Sequence, residues 1–355
     1  MVRCKKCGFP DTRPDLIFKD GVCMACLNFA KRKEIDWEER RRELATICDK
    51  YRGNKPYDCL IPVSGGKDSH RLVDIMKREM KMNPLLVTVS DSFTHTQAGI
   101  HNLRNLITRY NCNHWTYTIS HDLFIRATRA AFEGMGEPLS FVEFAIYTIP
   151  FILAQKFGIG LLVYGENSAH EYGSGMEDSE DAGNRHILLM AQKIASQVLW
   201  WKSVGVSSGE IALILPHRFD IPKMIYMSRY RPWSSVTNLE VARANGFKTL
   251  SEIPEPWGVW KREGVLPGDD FEQIDSMAYM AHIWLKYPKF GFQRVTDIAT
   301  RRLREGLITR EECDRAIAEH DHKLDTKALS DFCQTLGYTE EDFWEIANKF
   351  KRKEI

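Results

Sequence analysis

The chain has almost no excess of charge of either sign: 49 Lys and Arg stand against 48 Asp and Glu, a formal +1. No global field therefore favours nucleic acid or a membrane surface, and neither is expected as a partner. A long unbroken apolar run is missing too. The most apolar region, residues 141–165, is interrupted by Glu143, Pro150, Gln155 and Lys156. It predicts a buried helix and strand, not a bilayer span. After Met1-Val2-Arg3-Cys4 comes no apolar core of the kind that exports a protein. The nine cysteines are accordingly expected as thiols or metal ligands in a cytoplasmic protein more than as disulfides. Repeats and low-complexity tracts are absent. What is present is ordinary globular chain: 355 residues, 43% hydrophobic and 27% charged, enough for one large or two modest domains.

Four of the cysteines are paired in sequence. Cys4-x-x-Cys7 and Cys23-x-x-Cys26 are separated by 15 residues, within the range of zinc ribbons. Four thiolates around Zn²⁺ leave no open position, so the site is expected to be structural. Gly8, Pro10, Pro14 and Gly21 suit its tight turns. The other reading is two unrelated pairs of reduced thiols; a redox role lacks the strand–helix context. Cys48, Cys59, Cys112, Cys313 and Cys333 stand singly and read as small core or surface residues. His320, Asp321 and His322 read as a polar helix end. The ribbon is expected over 1–35 and a linking helix over 36–56, where Trp37, Leu44 and Ile47 are helically spaced and Gly53-Asn54-Lys55-Pro56 breaks the pattern.

From residue 57 to about 240 strand and helix patterns alternate. Strands are predicted at 57–63, 84–90, 114–120 and 160–164. Helices are predicted after residue 69, with Leu72, Val73, Met76 and Met80 on one face, and over 97–110. Two more should follow, the later one opening on a Ser140-x-x-Glu143 capping box. Such alternation predicts an α/β domain with a parallel sheet covered on both faces. Ligands of such sheets sit at the carboxyl ends of the strands, so the turns after Val63, Val89 and Tyr164 should meet at one crevice. The acidic, glycine-rich stretch 171–184 reads either as a solvated loop or as a substrate lid. Residues 241–355 are expected to be mainly helical, with helix starts at Thr309-x-x-Glu312 and Thr339-x-x-Asp342.

Between the strand at 57–63 and its helix lies Ser64-Gly65-Gly66-Lys67-Asp68-Ser69. The first turn of a helix has unpaired N–H groups and a partial positive charge, and glycines let the backbone approach an anion. This turn is therefore expected to hold phosphate. It is not a Walker A loop: Ile61 stands where that motif needs its first glycine, and Asp68 where it needs Ser or Thr. Ser-Gly-Gly-x-Asp-Ser after a strand instead resembles the PP-loop of ATP pyrophosphatases (adenine nucleotide alpha hydrolase-like proteins). Those enzymes split ATP between the α and β phosphates and transfer AMP to a substrate oxygen.

Taken with its flanks, the chain resembles the N-acetyl sugar amidotransferase family, which modifies bacterial surface sugars. The resemblance rests on four stretches: Cys4-Lys-Lys-Cys-Gly-Phe-Pro-Asp-Thr-Arg-Pro; Tyr57-Asp-Cys-Leu-Ile-Pro-Val followed by the loop; Tyr164-Gly165-Glu166-Asn167 with Glu171-Tyr172-Gly173; and Lys289-Phe-Gly-Phe-Gln-Arg-Val-Thr-Asp297 continuing to Arg304–Glu312. It spans nearly the whole chain. It implies conversion of an acetamido group on a nucleotide-linked sugar into an acetamidino group, with ATP and Mg²⁺. The ammonia would come from a glutaminase subunit through a cyclase-like partner.

By position in these motifs, the N–H groups of Gly65 and Gly66 are expected to cradle the β and γ phosphates, with hydroxyls from Ser64 and Ser69. Lys67 adds charge, Asp68 holds Mg²⁺, and Val63 and Val89 bracket the adenosine. Gly165 and Glu166 should lie near the reacting oxygen, a helix cap being the other reading of Glu166. Asp68, Lys67 and Glu166 make up the expected catalytic set. Lys289 and Arg294 are expected to bind pyrophosphate or the sugar nucleotide, or else to form an exposed basic turn; Tyr172 is expected to line the sugar site. Gln293 stands where a small residue is expected, and 139–147 offers no polar motif. The competing enzyme class is tRNA thiolation, which also joins a PP-loop to zinc cysteines and often needs catalytic cysteines at the crevice. A zinc-ribbon scaffold with a degenerate nucleotide fold is the non-enzymatic alternative, and it would have no need of Asp68.

Overall fold

A computed structural model describes residues 1–53, 55–166, 173, 182–215 and 222–353. Its centre is a five-stranded sheet, every adjacent pair parallel, in the order β5-β4-β3-β6-β7. The strands are β3 (Cys59–Pro62), β4 (Pro84–Ser90), β5 (Asn113–Thr118), β6 (Leu161–Tyr164) and β7 (Lys223–Tyr226). Leu60 pairs with Leu85 on one side and Leu162 on the other. Successive residues of a strand point to opposite faces, and here both faces are covered. Leu60, Leu85, Val87 and Leu162 join a core with Phe124, Phe132, Phe141 and Phe332. Cys59, Ile61, Leu86 and Val163 join another with Leu72, Val73, Met76 and Leu106. A central strand buried on two sides explains why 59–61 carries no polar residue.

Helices α3 (Lys67–Asp74), α4 (Gln97–Tyr110), α5 (His121–Met135) and α6 (Ser140–Lys156) make the crossovers. The run of apolar positions after α3 continues through a π-helical turn, Ile75–Glu79, and Leu72, Val73, Met76 and Met80 are all buried as expected. The expected capping box at Ser140 does not form. Leu139, buried in the core, is the N-cap, and Ser140 itself is 4% exposed. Packing of Leu139, Phe141 and Val142 sets this start, and Glu143 turns to His282 instead. The boxes at Thr309 and Thr339 do form. The fifth strand, β7, was not anticipated from the sequence; Met224-Ile225-Tyr226 is too short a run to show a period.

The N-terminal segment folds as a small antiparallel hairpin, β1 (Phe18–Lys19) and β2 (Val22–Cys23), followed by helix Met24–Lys31. It packs on the helical C-terminal region. Phe9 meets Phe292 edge to face at 5.3 Å, Thr12 Oγ1 donates to the Phe290 carbonyl at 2.5 Å, and Arg13 pairs with the buried Asp297 at 2.7 Å. Helix Trp37–Tyr51 links this segment to the sheet, capped by Asp36. Among the described residues no helix is long and apolar enough to cross a membrane.

Candidate active site

The phosphate loop leaves the carboxyl end of β3. Gly65 adopts φ +88°, and a Cβ there would lie 2.7 Å from the Leu103 backbone nitrogen. Only glycine meets both demands. Ser69 Oγ accepts from the Ser64 N–H at 3.1 Å, and Ser64 Oγ from the Gly66 N–H at 3.3 Å. Gly66 is the N-cap of α3 and brings no side chain to its first-turn N–H groups, which is the arrangement of an anion site. His70 Nδ1 sits 3.1 Å from the Gly66 carbonyl. Burial holds the His70 imidazole down at about 4, so it stays neutral and braces the turn.

Lys67 is drawn into a cluster of carboxylates. Its side chain is 3% exposed and is engaged by two carboxylates. Its Nζ lies 2.7 Å from Asp68 Oδ2 and 3.0 Å from Glu272 Oε1. Burial alone would lower its pKa, but Asp68, Glu272 and Glu166 outweigh burial and raise it. Glu272 also accepts from Ser235 Oγ at 2.6 Å, and Asp68 Oδ1 from Asn238 Nδ2 at 2.7 Å. Burial pushes the Glu272 carboxyl up; Lys67, Arg294 and Arg301 together outweigh that and hold it well below the usual range. For Asp68 burial prevails and its pKa rises. With its side chain a third exposed (33%) onto the cleft, its oxygens retain lone pairs for a hard cation such as Mg²⁺.

A cleft of about 950 Å³ opens over the carboxyl edge of the sheet. The loop residues 64–69, Val63, Val89, Gly165 and Glu166 all line it. Thr88 Oγ1 donates to the Val63 carbonyl at 2.7 Å and lies 2.8 Å from His114 Nε2, which ties the two strand ends together. Glu166 Oε1 is 3.9 Å from Arg301. A second part of the cleft is aromatic: Tyr147 stacks on Tyr164 at 5.9 Å, and Tyr226 and Tyr279 lie on the same wall. Glu143 opens onto this part and is 3.3 Å from His282 Nε2. The segment 271–276, from the helical C-terminal region, closes the far side.

The loop and the expected adenosine residues are thus brought together, with Glu166 beside them. Lys289 is not: its Nζ is held by Glu137 at 2.7 Å and the Met135 carbonyl at 3.1 Å, outside the cleft. Arg294 backs the cleft wall, its Nε donating to Gln273 at 3.2 Å. Gln293 fills the interior, donating to the Lys323 carbonyl. Tyr172 and most of the acidic stretch 171–184 lie outside the described residues. Glu272, Asn238 and Glu143 escaped the sequence reading. Glu272 and Asn238 sit in patches with no motif and reach the loop only through the fold, while Glu143 is marked in the sequence only as part of a helix cap.

The four N-terminal cysteines come together as expected. All are buried, and their sulfurs lie within 4.8 Å of one another. Cys4 and Cys26 are 3.9 Å apart, Cys7 and Cys23 3.7 Å. A tetrahedron with zinc–sulfur bonds of ~2.3 Å has edges of about 3.8 Å, so the cluster fits a four-thiolate metal ion. The Cys23 N–H and Arg304 NH1 donate to Cys4 and Cys7 sulfurs. The five other cysteines are buried, and none lines the cleft.

Comparisons with known proteins give a family match over part of the chain and several distant likenesses. The curated protein MJ1599 of Methanocaldococcus jannaschii, itself uncharacterized, is 30% identical over 113 residues, 31% of this chain. The chain spans 40% of that relative's length. Among solved structures, the NH3-dependent NAD synthetase of Campylobacter jejuni is 11% identical with a TM-score of 0.31, over 51% of this chain and 92% of that one. NMN synthetase of Francisella tularensis is 14% identical with a TM-score of 0.29, over 59% and 93%. The U34-tRNA thiolase NcsA of Methanococcus maripaludis is 15% identical with a TM-score of 0.33, over 86% and 88%. Likeness this low assigns no substrate and no chemistry. The family match is more specific: the C-terminal domain of WbpG-like LPS biosynthesis proteins covers residues 269–355. Residues 269–355, which supply Glu272 to the cleft and carry the Lys289–Asp297 stretch, are thus similar to the C-terminal domain of WbpG-like LPS biosynthesis proteins.

Proposed function

We propose that the protein is an ATP-dependent amidotransferase. It adenylates the acetamido oxygen of a nucleotide-linked sugar and replaces that oxygen with ammonia, giving an acetamidino group for a bacterial surface glycan such as O-antigen or a flagellar glycan. One observation carries this reading: the Ser-Gly-Gly-x-Asp-Ser loop and segment 271–276 of the WbpG-like domain line the same cleft. An amide carbon is a poor electrophile and its oxygen a poor leaving group. Attack of that oxygen on the α-phosphorus of ATP expels pyrophosphate and gives an imidate–AMP, from which AMP departs readily when ammonia adds. Such chemistry asks the protein mainly for positioning and charge stabilisation.

In this reading the N–H groups of Gly65 and Gly66, with Ser64 and Ser69, hold the β and γ phosphates. Asp68 offers its cleft-facing oxygens to Mg²⁺, which neutralises the phosphates, and Val63 and Val89 bracket the adenosine. Glu166 lies by the reacting oxygen. Lys67 holds Asp68 and Glu272 in place and is not itself a phosphate ligand. The cysteine cluster holds Zn²⁺ and keeps the N-terminal segment folded. Ammonia arrives from a glutaminase subunit through a cyclase-like partner, in the cytoplasm. A tRNA thiolase would want a reactive cysteine at the crevice; here every cleft-lining position among the described residues is something else, and burial raises the Cys48, Cys59, Cys112, Cys313 and Cys333 thiols. The test is incubation with ATP, Mg²⁺, ammonium and a UDP-linked diacetamido uronic acid. Sugar-dependent AMP and pyrophosphate, with a one-dalton decrease in the sugar nucleotide, are expected; ADP as the product ends the reading.

A further inference from the structure

The phosphate-loop chemistry makes no use of Glu143 and His282. Glu143 lies in the first turn of α6, and a crossover helix runs back against its strands, so that turn sits at the carboxyl edge of the sheet. Its side chain is 46% exposed and lines the cleft, one turn from Tyr147. His282 is 15% exposed, with Nε2 3.3 Å from Glu143 Oε1. Its Nδ1 is buried with no hydrogen-bond partner among the described residues. Orphaned buried N–H groups are rare, so the ring proton belongs on Nε2, where Glu143 accepts it. Burial pushes the Glu143 carboxyl up, but the hydrogen bond from His282, with the charges of Lys193 and Lys286, outweighs burial and lowers it. A fixed anion therefore faces the aromatic half of the cleft, apart from the anion-binding loop.

We propose that this carboxylate is the ammonia site of the second half-reaction. Glu143 takes a proton from the attacking nitrogen and then pairs with the amidinium product, and His282 is its positioning residue. The inference rests on the amidotransfer reading above. The steps balance. Ammonia adds to the carbon of the O-adenylated, N-protonated imidate, forming a C–N bond and a tetrahedral centre that bears –NH3⁺. One proton of that group passes to Glu143. The C–O bond breaks, AMP leaves with its electron pair, and the amidinium remains. Glu143 returns its proton to solvent through the open cleft. A planar amidinium offers two parallel N–H donors, and a carboxylate is the group that matches them.

The experiment separates the two half-reactions in the full chain, with ATP, Mg²⁺, a UDP-linked diacetamido uronic acid and ammonium chloride. For Glu143→Gln we expect the pyrophosphate burst without ammonium to match the wild type and amidine formation to fall ~100-fold or more. His282→Gln should raise the KM for ammonium at an unchanged burst, and Glu143→Asp should recover part of the lost amidine rate. Unchanged amidine kcat and ammonium KM in Glu143→Gln overturn the proposal. So does an equal loss of burst and amidine in both Glu143 variants, since the pair would then serve ATP or the fold. A wild type that gives no sugar-dependent burst sinks the amidotransfer reading itself and is recognised before any variant is made.

Discussion

Lys67 and Glu272 meet at 3.0 Å with side chains 3% and 5% exposed, so the lysine of the 64–69 loop holds the C-terminal region against the sheet. Removing either partner strands a buried charge. We expect Lys67→Met and Glu272→Gln each to lose about 3–5 kcal/mol of unfolding free energy. The double variant should lose less than the sum, because the two changes remove one interaction. Urea unfolding of the four proteins measures this, and strict additivity would mean that the contact contributes nothing.

Asp68 is held from both sides, by Lys67 and by Asn238, yet a third of its side chain meets the cleft. Asparagine keeps its shape and loses its charge. Asp68→Asn is therefore expected to fold, to bind ATP weakly with little response to Mg²⁺, and to release AMP at least ~1000-fold more slowly, as for loss of a main electrostatic group. Calorimetric ATP titration with and without Mg²⁺, beside an AMP assay, decides it. An unfolded variant would make Asp68 a structural residue only.

Strands β3 and β4 were legible in the sequence, whereas β7, also buried on both faces, was too short a run to show a period. The runs at 59–62 and 84–90 are apolar because β3 and β4 have cores above and below. The loop was legible because its positive φ and its close approach to Leu103 demand glycine at position 65. The cysteine spacing was legible because two Cys-x-x-Cys turns can bring four sulfurs together, as they do here. Glu272 and Asn238 were not, since nothing local marks them, and Glu143 was marked only as a helix cap: each is defined by what the fold brings opposite. Lys67 was legible as a charged motif residue, but its pairing with Glu272 was not, for only the fold brings that second carboxylate to it. Lys289 was misplaced for the same reason, Glu137 and the Met135 carbonyl having taken its ammonium.

Bound metal is expected at one ion per chain. Cys23→Ser removes one thiolate from a closed tetrahedral set, so zinc content by mass spectrometry should fall and the thermal midpoint with it. Chelation of the wild type should mimic the variant. Full metal content in Cys23→Ser would defeat the four-cysteine assignment.

Acid should loosen the N-terminal segment in a defined window. Asp297 is 2% exposed and pairs with Lys286 at 2.6 Å and Arg13 at 2.7 Å. Burial raises its carboxyl, but Lys286, Arg13 and Arg294 outweigh burial and bring it from 3.8 down to about 2. The folded value lies below the unfolded one, so this stabilisation is complete above the unfolded value. It is lost as pH falls from 3.8 through about 2. At one pKa unit per 1.4 kcal/mol the pair contributes about 2 kcal/mol. Cysteine ligands also protonate in acid and release metal, so the wild type alone cannot isolate the effect. Asp297→Asn can: it keeps the cysteines and removes the charge. Denaturant unfolding of both proteins should show the wild type more stable at pH 7, with the gap closing across that window. A gap that stays constant into acid would mean that the Arg13–Asp297–Lys286 cluster does not hold the segment through charge.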